Sequence, residues 1–145
     1  IRKVSEHAIL NANYLQALLK DTFDLAYDRR CAHEFVLSSR RFGEKSALNI
    51  AKRLMDYGFH PPTIYFPLTV PEALMIEPTE TESKETLDRF VLALKKISSE
   101  LKEDPEIVKQ SPLSTPVGRL DEVAAARRPN LRWRPSQRTN QSGSE

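Results

Sequence analysis

The sequence predicts an α+β fold, a two-layer α/β sandwich in which helices cover one face of a small sheet. Three observations lead there. Three long stretches carry apolar residues at three- and four-residue spacings, the signature of amphipathic helices. Short runs of β-branched and aromatic residues lie between them. The elements follow one another as α-β-α-β-β-α, three strands with three main helices.

Residues 3–20 are expected to form the first helix, because Val4, Ala8, Ile9, Ala12, Leu15, Leu18 and Leu19 make one apolar stripe. Asn11, Asn13 and Gln16 lie mostly off that stripe. Asp21 to Arg30 is polar and unpatterned, so a loop is expected. Cys31 to Ser38 is the first predicted strand, with Cys31, His33, Phe35 and Leu37 on one face and Ala32, Glu34, Val36 and Ser38 on the other. A turn over Arg40 to Glu44 leads into a helix over residues 45–57, striped by Ala47, Ile50, Ala51 and Leu54. Gly58 should end it in a left-handed cap.

Pro61 and Pro62 cannot extend that helix, and a cis bond there is one way to fix the connector. Thr63 to Phe66 is a short strand that Pro67 ends or places on an edge. Ala73 to Ile76 is the third strand. A helix over residues 80–101 follows, with Leu87, Phe90, Val91, Leu94, Ile97 and Leu101 as its stripe. Thr79 and Glu82 fit a capping box at its start. At ~1.5 Å per residue this helix is roughly 30 Å long and crosses the domain. Asp104-Pro105 opens a short helix to about Gln110. Residues 111–116 read as a connector, residues 119–127 as one or two helical turns, and residues 134–145 as a disordered tail.

Composition narrows the function classes. The 145 residues suit one domain with a real core. The 22 Lys and Arg against 20 Asp and Glu leave +2, too little to imply nucleic acid. No apolar run approaches the ~20 residues of a membrane span, and the first residues lack a signal-peptide core. Cys31, the single cysteine, excludes an internal disulfide and a multi-cysteine metal site, and fits a reducing compartment. The chain opens on Ile1 and runs straight into helical periodicity, so further sequence is expected before it.

Four clusters carry candidate chemistry. Glu77-Pro78-Thr79-Glu80 sets carboxylates and a hydroxyl at a helix start, where anions can bind; simple capping accounts for the same residues. Cys31 and His33 could pair as thiolate and imidazole, or be a small buried thiol and a hydrogen-bonded histidine. His60, before the proline pair, could reach a ligand or belong to a rigid connector. Arg127, Arg128, Arg132, Arg134 and Arg138 with Trp133 could bind RNA or an acidic protein, or form a solvated end anchored by the tryptophan. The three histidines have no metal-ligand spacing, and no glycine-rich phosphate loop is present. Residue chemistry alone identifies no reaction.

Three strings change that: CAHEFV at Cys31–Val36, AKRL with DYGFHPPT between Ala51 and Thr63, and ALMIEPTETESK at Ala73–Lys84. Together, in this order, they resemble the C-terminal region of glycine dehydrogenase (decarboxylating), the P-protein of the glycine cleavage system. The connector STPV with RLDE (Ser114 to Glu122) and Leu131-Arg132-Trp133 resemble the end of subunit 2 in the bacterial two-subunit form.

The resemblance implies a fold-type I, aspartate-aminotransferase-like enzyme dependent on pyridoxal phosphate. Residues 1–133 would be its small C-terminal domain. It implies oxidoreductase chemistry in glycine catabolism: decarboxylation of glycine and transfer of the aminomethyl group to the lipoyl arm of H-protein. The implied setting is the bacterial cytoplasm, in a heterotetramer with subunit 1, without nucleic acid or membrane. The family's cofactor lysine belongs to a large domain before this stretch, and none of Lys3, Lys20, Lys45, Lys52, Lys84, Lys95 or Lys96 matches its setting. The chain then reads as a fragment inactive alone, with no catalytic residue assigned. His33, Glu34, His60, Glu77 and Thr79 are the candidates for lining the cleft between domains. The other reading is a free-standing module binding an acidic partner through its basic end.

Overall fold

The computed structural model describes residues 1–132; the tail expected over 134–145, and Trp133, Arg134 and Arg138 with it, lie outside the described residues. The elements are α1 (Arg2–Leu19), β1 (Asp24–Leu25), β2 (Phe35–Ser38), α2 (Ser46–Asp56), β3 (Thr63–Ile64), β4 (Ala73–Ile76), α3 (Lys84–Glu103), α4 (Pro105–Gln110) and α5 (Glu122–Arg127), with a 3₁₀ turn over Arg40–Phe42. The architecture is α+β. The sheet is wholly antiparallel in the order β1-β2-β4-β3.

Pairing fixes the two faces. Phe35 pairs with Ile76, and Leu37 with Leu74, which in turn faces Ile64. These residues point toward the helices and join the core with Ala12, Leu15 and Leu19 of α1, Ile50 and Leu54 of α2, and Leu87, Leu94 and Ile97 of α3. Val36 pairs with Met75 on the opposite face. Helix α3 packs against α1, α2 and α4. Its predicted stripe is the core stripe, and it buries a second row as well, Ala93, Ser98 and Glu100, where it meets its neighbours.

The structure departs from expectation in definite places. A fourth strand, Asp24–Leu25, occupies part of the expected loop; it pairs with the end of β2 beside the fully buried Phe23. The strand expected from Cys31 begins only at Phe35. Asn13 is the reason: its side chain accepts from the Cys31 N–H (3.2 Å) and donates to the Cys31 carbonyl (2.8 Å), so α1 takes the groups a ladder would use. Cys31 and His33 therefore do not share a strand face. The strand expected to run to Phe66 stops at Ile64, because Tyr65 turns into a left-handed conformation at φ 60°.

Helix α3 starts at Lys84, not at residue 80. Ser83 is its cap and accepts from the Thr86 N–H, whereas the Thr79 hydroxyl bonds that of Thr81. The Thr79–Glu82 capping box is thus not formed. Gly58 does end α2, at φ 78°, with Gly58 N–H on Met55 and Phe59 N–H on Leu54, a Schellman arrangement. The cis bonds fall at Phe66-Pro67 and Ser111-Pro112 rather than in the Pro61-Pro62 pair. The start of α2 has no local cap. Glu72, from the loop before β4, supplies one: it accepts from Lys45 N–H (3.1 Å) and Ala47 N–H (2.9 Å).

Candidate functional site

Antiparallel register sets where the candidate residues meet. Because Phe35 opposes Ile76, the residues entering β2 and those leaving β4 emerge at one end of the sheet. Thr63 opposes Met75, so the approach to β3 ends there too. His33 and Glu34, Glu77 and Thr79, and His60 therefore gather on one rim.

Within the rim the contacts are unequal. His33 Nε2 lies 3.7 Å from Glu77 Oε1 and 4.0 Å from Glu34 Oε2, all three side chains being about half exposed. These distances allow charge pairing but not a direct hydrogen bond. His60 stands apart, on the wall of a cleft of about 410 Å³ that it shares with Pro61, Glu77, Thr79 and Phe90. A second cleft of about 310 Å³ lies between α1 and this rim, with His33, Glu77 and Thr79 on one side and Val4 and Ile9 on the other. A third, of about 420 Å³, takes in Glu34, Cys31 and Phe66 on the outer face of the sheet. Glu77 and Thr79 join the first two clefts, and His33 joins the second to the third.

Two residues outside the predicted set hold this rim in place. Asn13 fixes the Cys31 end, as described. Asn11 donates to the carbonyls of Thr79 (2.9 Å) and Glu82 (3.3 Å). The polar flank of α1 thus clamps both loops that bring His33 and Glu77 together. The signal was present as asparagines beside an apolar stripe, but their partners are distant in sequence.

Cys31 does not have the environment of a nucleophile. Burial raises its thiol pKa, with its own backbone N–H offsetting part of the rise, and an activated thiol needs the reverse. Among the described residues no group of His, Cys, Asp and Glu is arranged to hold a metal ion. No lysine lines the three clefts around the rim. The rim offers imidazole, carboxylate and hydroxyl groups, which can bind, orient and carry protons, but no amine for a carbonyl cofactor.

Residues 4–114 match the family model described as "Glycine dehydrogenase, C-terminal domain". The chain belongs to this family. Curated relatives agree. It is 59% identical over 135 residues to the probable glycine dehydrogenase (decarboxylating) subunit 2 of Caldanaerobacter subterraneus, a match covering 92% of this chain and 28% of that protein. The same-named proteins of Halalkalibacterium halodurans (59% over 136 residues, 92% and 28%) and Oceanobacillus iheyensis (55% over 138 residues, 93% and 28%) are similarly close. The chain thus spans 28% of the length of these relatives. Their matches cover more of it than the family model does, so they run into the segment after Ser114. Nothing in them favours a free-standing module, and of its basic end only Arg127, Arg128 and Arg132 are described, all exposed.

Proposed function

We propose that this chain is the C-terminal small domain of a glycine dehydrogenase (decarboxylating) subunit, acting with a companion subunit and with H-protein in the bacterial cytoplasm. The observation that carries the reading is the 55–59% identity to proteins of that name over nine-tenths of the chain. No helix among the described residues is long and apolar enough to cross a membrane.

The rim is the part of the domain that faces the reaction. Pyridoxal phosphate, bound by the large domain of such an enzyme, supplies the electron sink for decarboxylation. No lysine lines the rim clefts, so the residues here offer it no amine. Their share is to complete the cleft. His33 can donate or accept a hydrogen bond there, with the Glu34 and Glu77 carboxylates within ion-pair distance of its imidazole. Glu77 and Thr79 line both of two neighbouring clefts, and His60 lines the larger of them. Asn11 and Asn13 keep these loops in register with α1.

The test is glycine-dependent release of CO2 in the presence of lipoylated H-protein. Full-length subunit assembled with its companion is expected to be active, and the 145-residue chain alone inactive and without cofactor absorbance near ~400 nm. Decarboxylation by the short chain, or none by the assembled pair, overturns the reading.

A further inference from the structure

We infer that Tyr14 of α1 is a positioning residue for the rim: through Asp88 and Lys84 it fixes where the loop that carries Glu77 and Thr79 joins α3. The inference rests on the functional reading above, in which that loop faces the reaction.

The loop, residues 77–83, spans two fixed ends. At one end Ile76 is paired with Phe35 in the sheet. At the other Ser83 caps α3. Within the loop the bonds are local: the Thr79 and Thr81 hydroxyls meet, and the Glu82 N–H donates to the Thr79 carbonyl. Among the described residues, the hydrogen bonds that tie it to an element other than α3 come from Asn11, to the carbonyls of Thr79 and Glu82. Tyr14 is three residues on from Asn11, a neighbour on the same face of α1. The Tyr14 hydroxyl donates to Asp88 Oδ1. Lys84, the first residue of α3, donates to the other Asp88 oxygen (2.7 Å) and lies 5.2 Å above the Tyr14 ring. Asn11 and Tyr14 thus hold the loop and the first turn of α3 as one row.

Two features set this latch apart from an ordinary surface pair. A lysine at the first position of a helix sits at the positive end of the dipole, where cations are disfavoured. The Lys84 and Asp88 side chains are 72% and 41% exposed, and ion pairs so exposed add little stability. Tyr14 supplies what the pair lacks: its ring packs against the hydrophobic core, so the hydroxyl and the ring face are held in place. A contact that goes against a local preference, adds little stability and borders the candidate site is placed for geometry. Once the latch is loosened, the first turn of α3 shifts and the loop shifts with it, and small misplacements beside reacting groups cost rate.

The test is kcat/KM for glycine decarboxylation, with lipoylated H-protein, in the assembled full-length enzyme well below its melting temperature. Tyr14→Leu, which removes hydroxyl and ring, is expected to lower it roughly fivefold. Tyr14→Phe keeps the ring under Lys84 and should fall between Tyr14→Leu and wild type. In a Glu77→Gln background Tyr14→Leu should cost less than twofold, because a group being positioned is already altered. A merely structural role would lower the melting temperature and leave this non-additivity absent. Glu106→Ala, which breaks the equally exposed Lys109–Glu106 pair on α4, should leave the rate unchanged. A rate within twofold of wild type for Tyr14→Leu, or the same fivefold loss in both backgrounds, overturns the inference. His33→Ala separates the two failures. If it lowers the rate and Tyr14→Leu does not, the inference fails alone; if neither does, the functional reading fails and the inference with it.

Discussion

His33 and Glu77, 3.7 Å apart, are brought together by strand register and by two asparagines of one helix. Neither residue is placed by its neighbours in sequence. The first prediction follows. Asn11→Ala with Asn13→Ala should free both loops, lowering the activity of the full enzyme. Each side chain donates to half-exposed backbone, so the stability loss should be only about 1 kcal/mol per bond. A chemical denaturation curve gives the second quantity and a steady-state assay the first.

A second prediction concerns the polar joint between α2 and α3. Arg53 donates to both carboxylate oxygens of Glu100 (2.9 Å each) and to Asp56, while the Tyr57 hydroxyl donates to Glu100. The Arg53 and Glu100 side chains are 12% and 11% exposed. Arg53→Met alone leaves two carboxylates nearly buried, and about 3 kcal/mol of stability should be lost. Arg53→Met with Glu100→Leu should restore much of it. Thermal melts of the two variants distinguish a costly unpaired charge from a favourable pair.

The third is a dependence on acid. Burial by itself would raise the Asp56 pKa, but hydrogen bonds from Ser114, Leu113 and Ser111 hold it down to about 2, from an ordinary 3.8. Between those values the unfolded chain binds more protons than the folded one, so stability rises with pH. The contribution, about 2 kcal/mol, is complete above about pH 5 and is lost as the pH falls through the folded value. Asp56→Asn should flatten this part of the stability profile, measured by urea unfolding at several pH values.

The fourth tests the borrowed cap. Glu72→Gly suits the left-handed backbone at φ 48° but removes both bonds to the start of α2. Lost capping of about 1 kcal/mol should outweigh the relieved strain. Glu72→Gln keeps the acceptor at one oxygen and should fall between that variant and wild type.

The helices were legible because their stripes are long. The stripe of α3 from Leu87 to Leu101 survives intact, and Gly58 ends α2 as a glycine should. What was not legible depends on partners far along the chain. Asp24 and Leu25 pair as a strand only because β2 is there to receive them. Cys31 to Glu34 has strand composition, yet Asn13 withdraws the Cys31 backbone from any ladder. Glu72 caps a helix that begins before it in sequence. At the site, resemblance of short strings singled out all five rim residues, but only the register explains why His33, Glu34 and Glu77 form one cluster and His60 stands across a cleft.

The central claim is that this rim faces the reacting centre of a glycine dehydrogenase. The most direct measurement is kcat/KM for glycine decarboxylation in the assembled full-length enzyme bearing His33→Ala or Glu77→Gln. Both side chains are about half exposed, so neither change should unfold the domain. The account predicts a fall of at least ~10-fold for His33→Ala and a smaller fall for Glu77→Gln. Rates within twofold of wild type in both variants would contradict it.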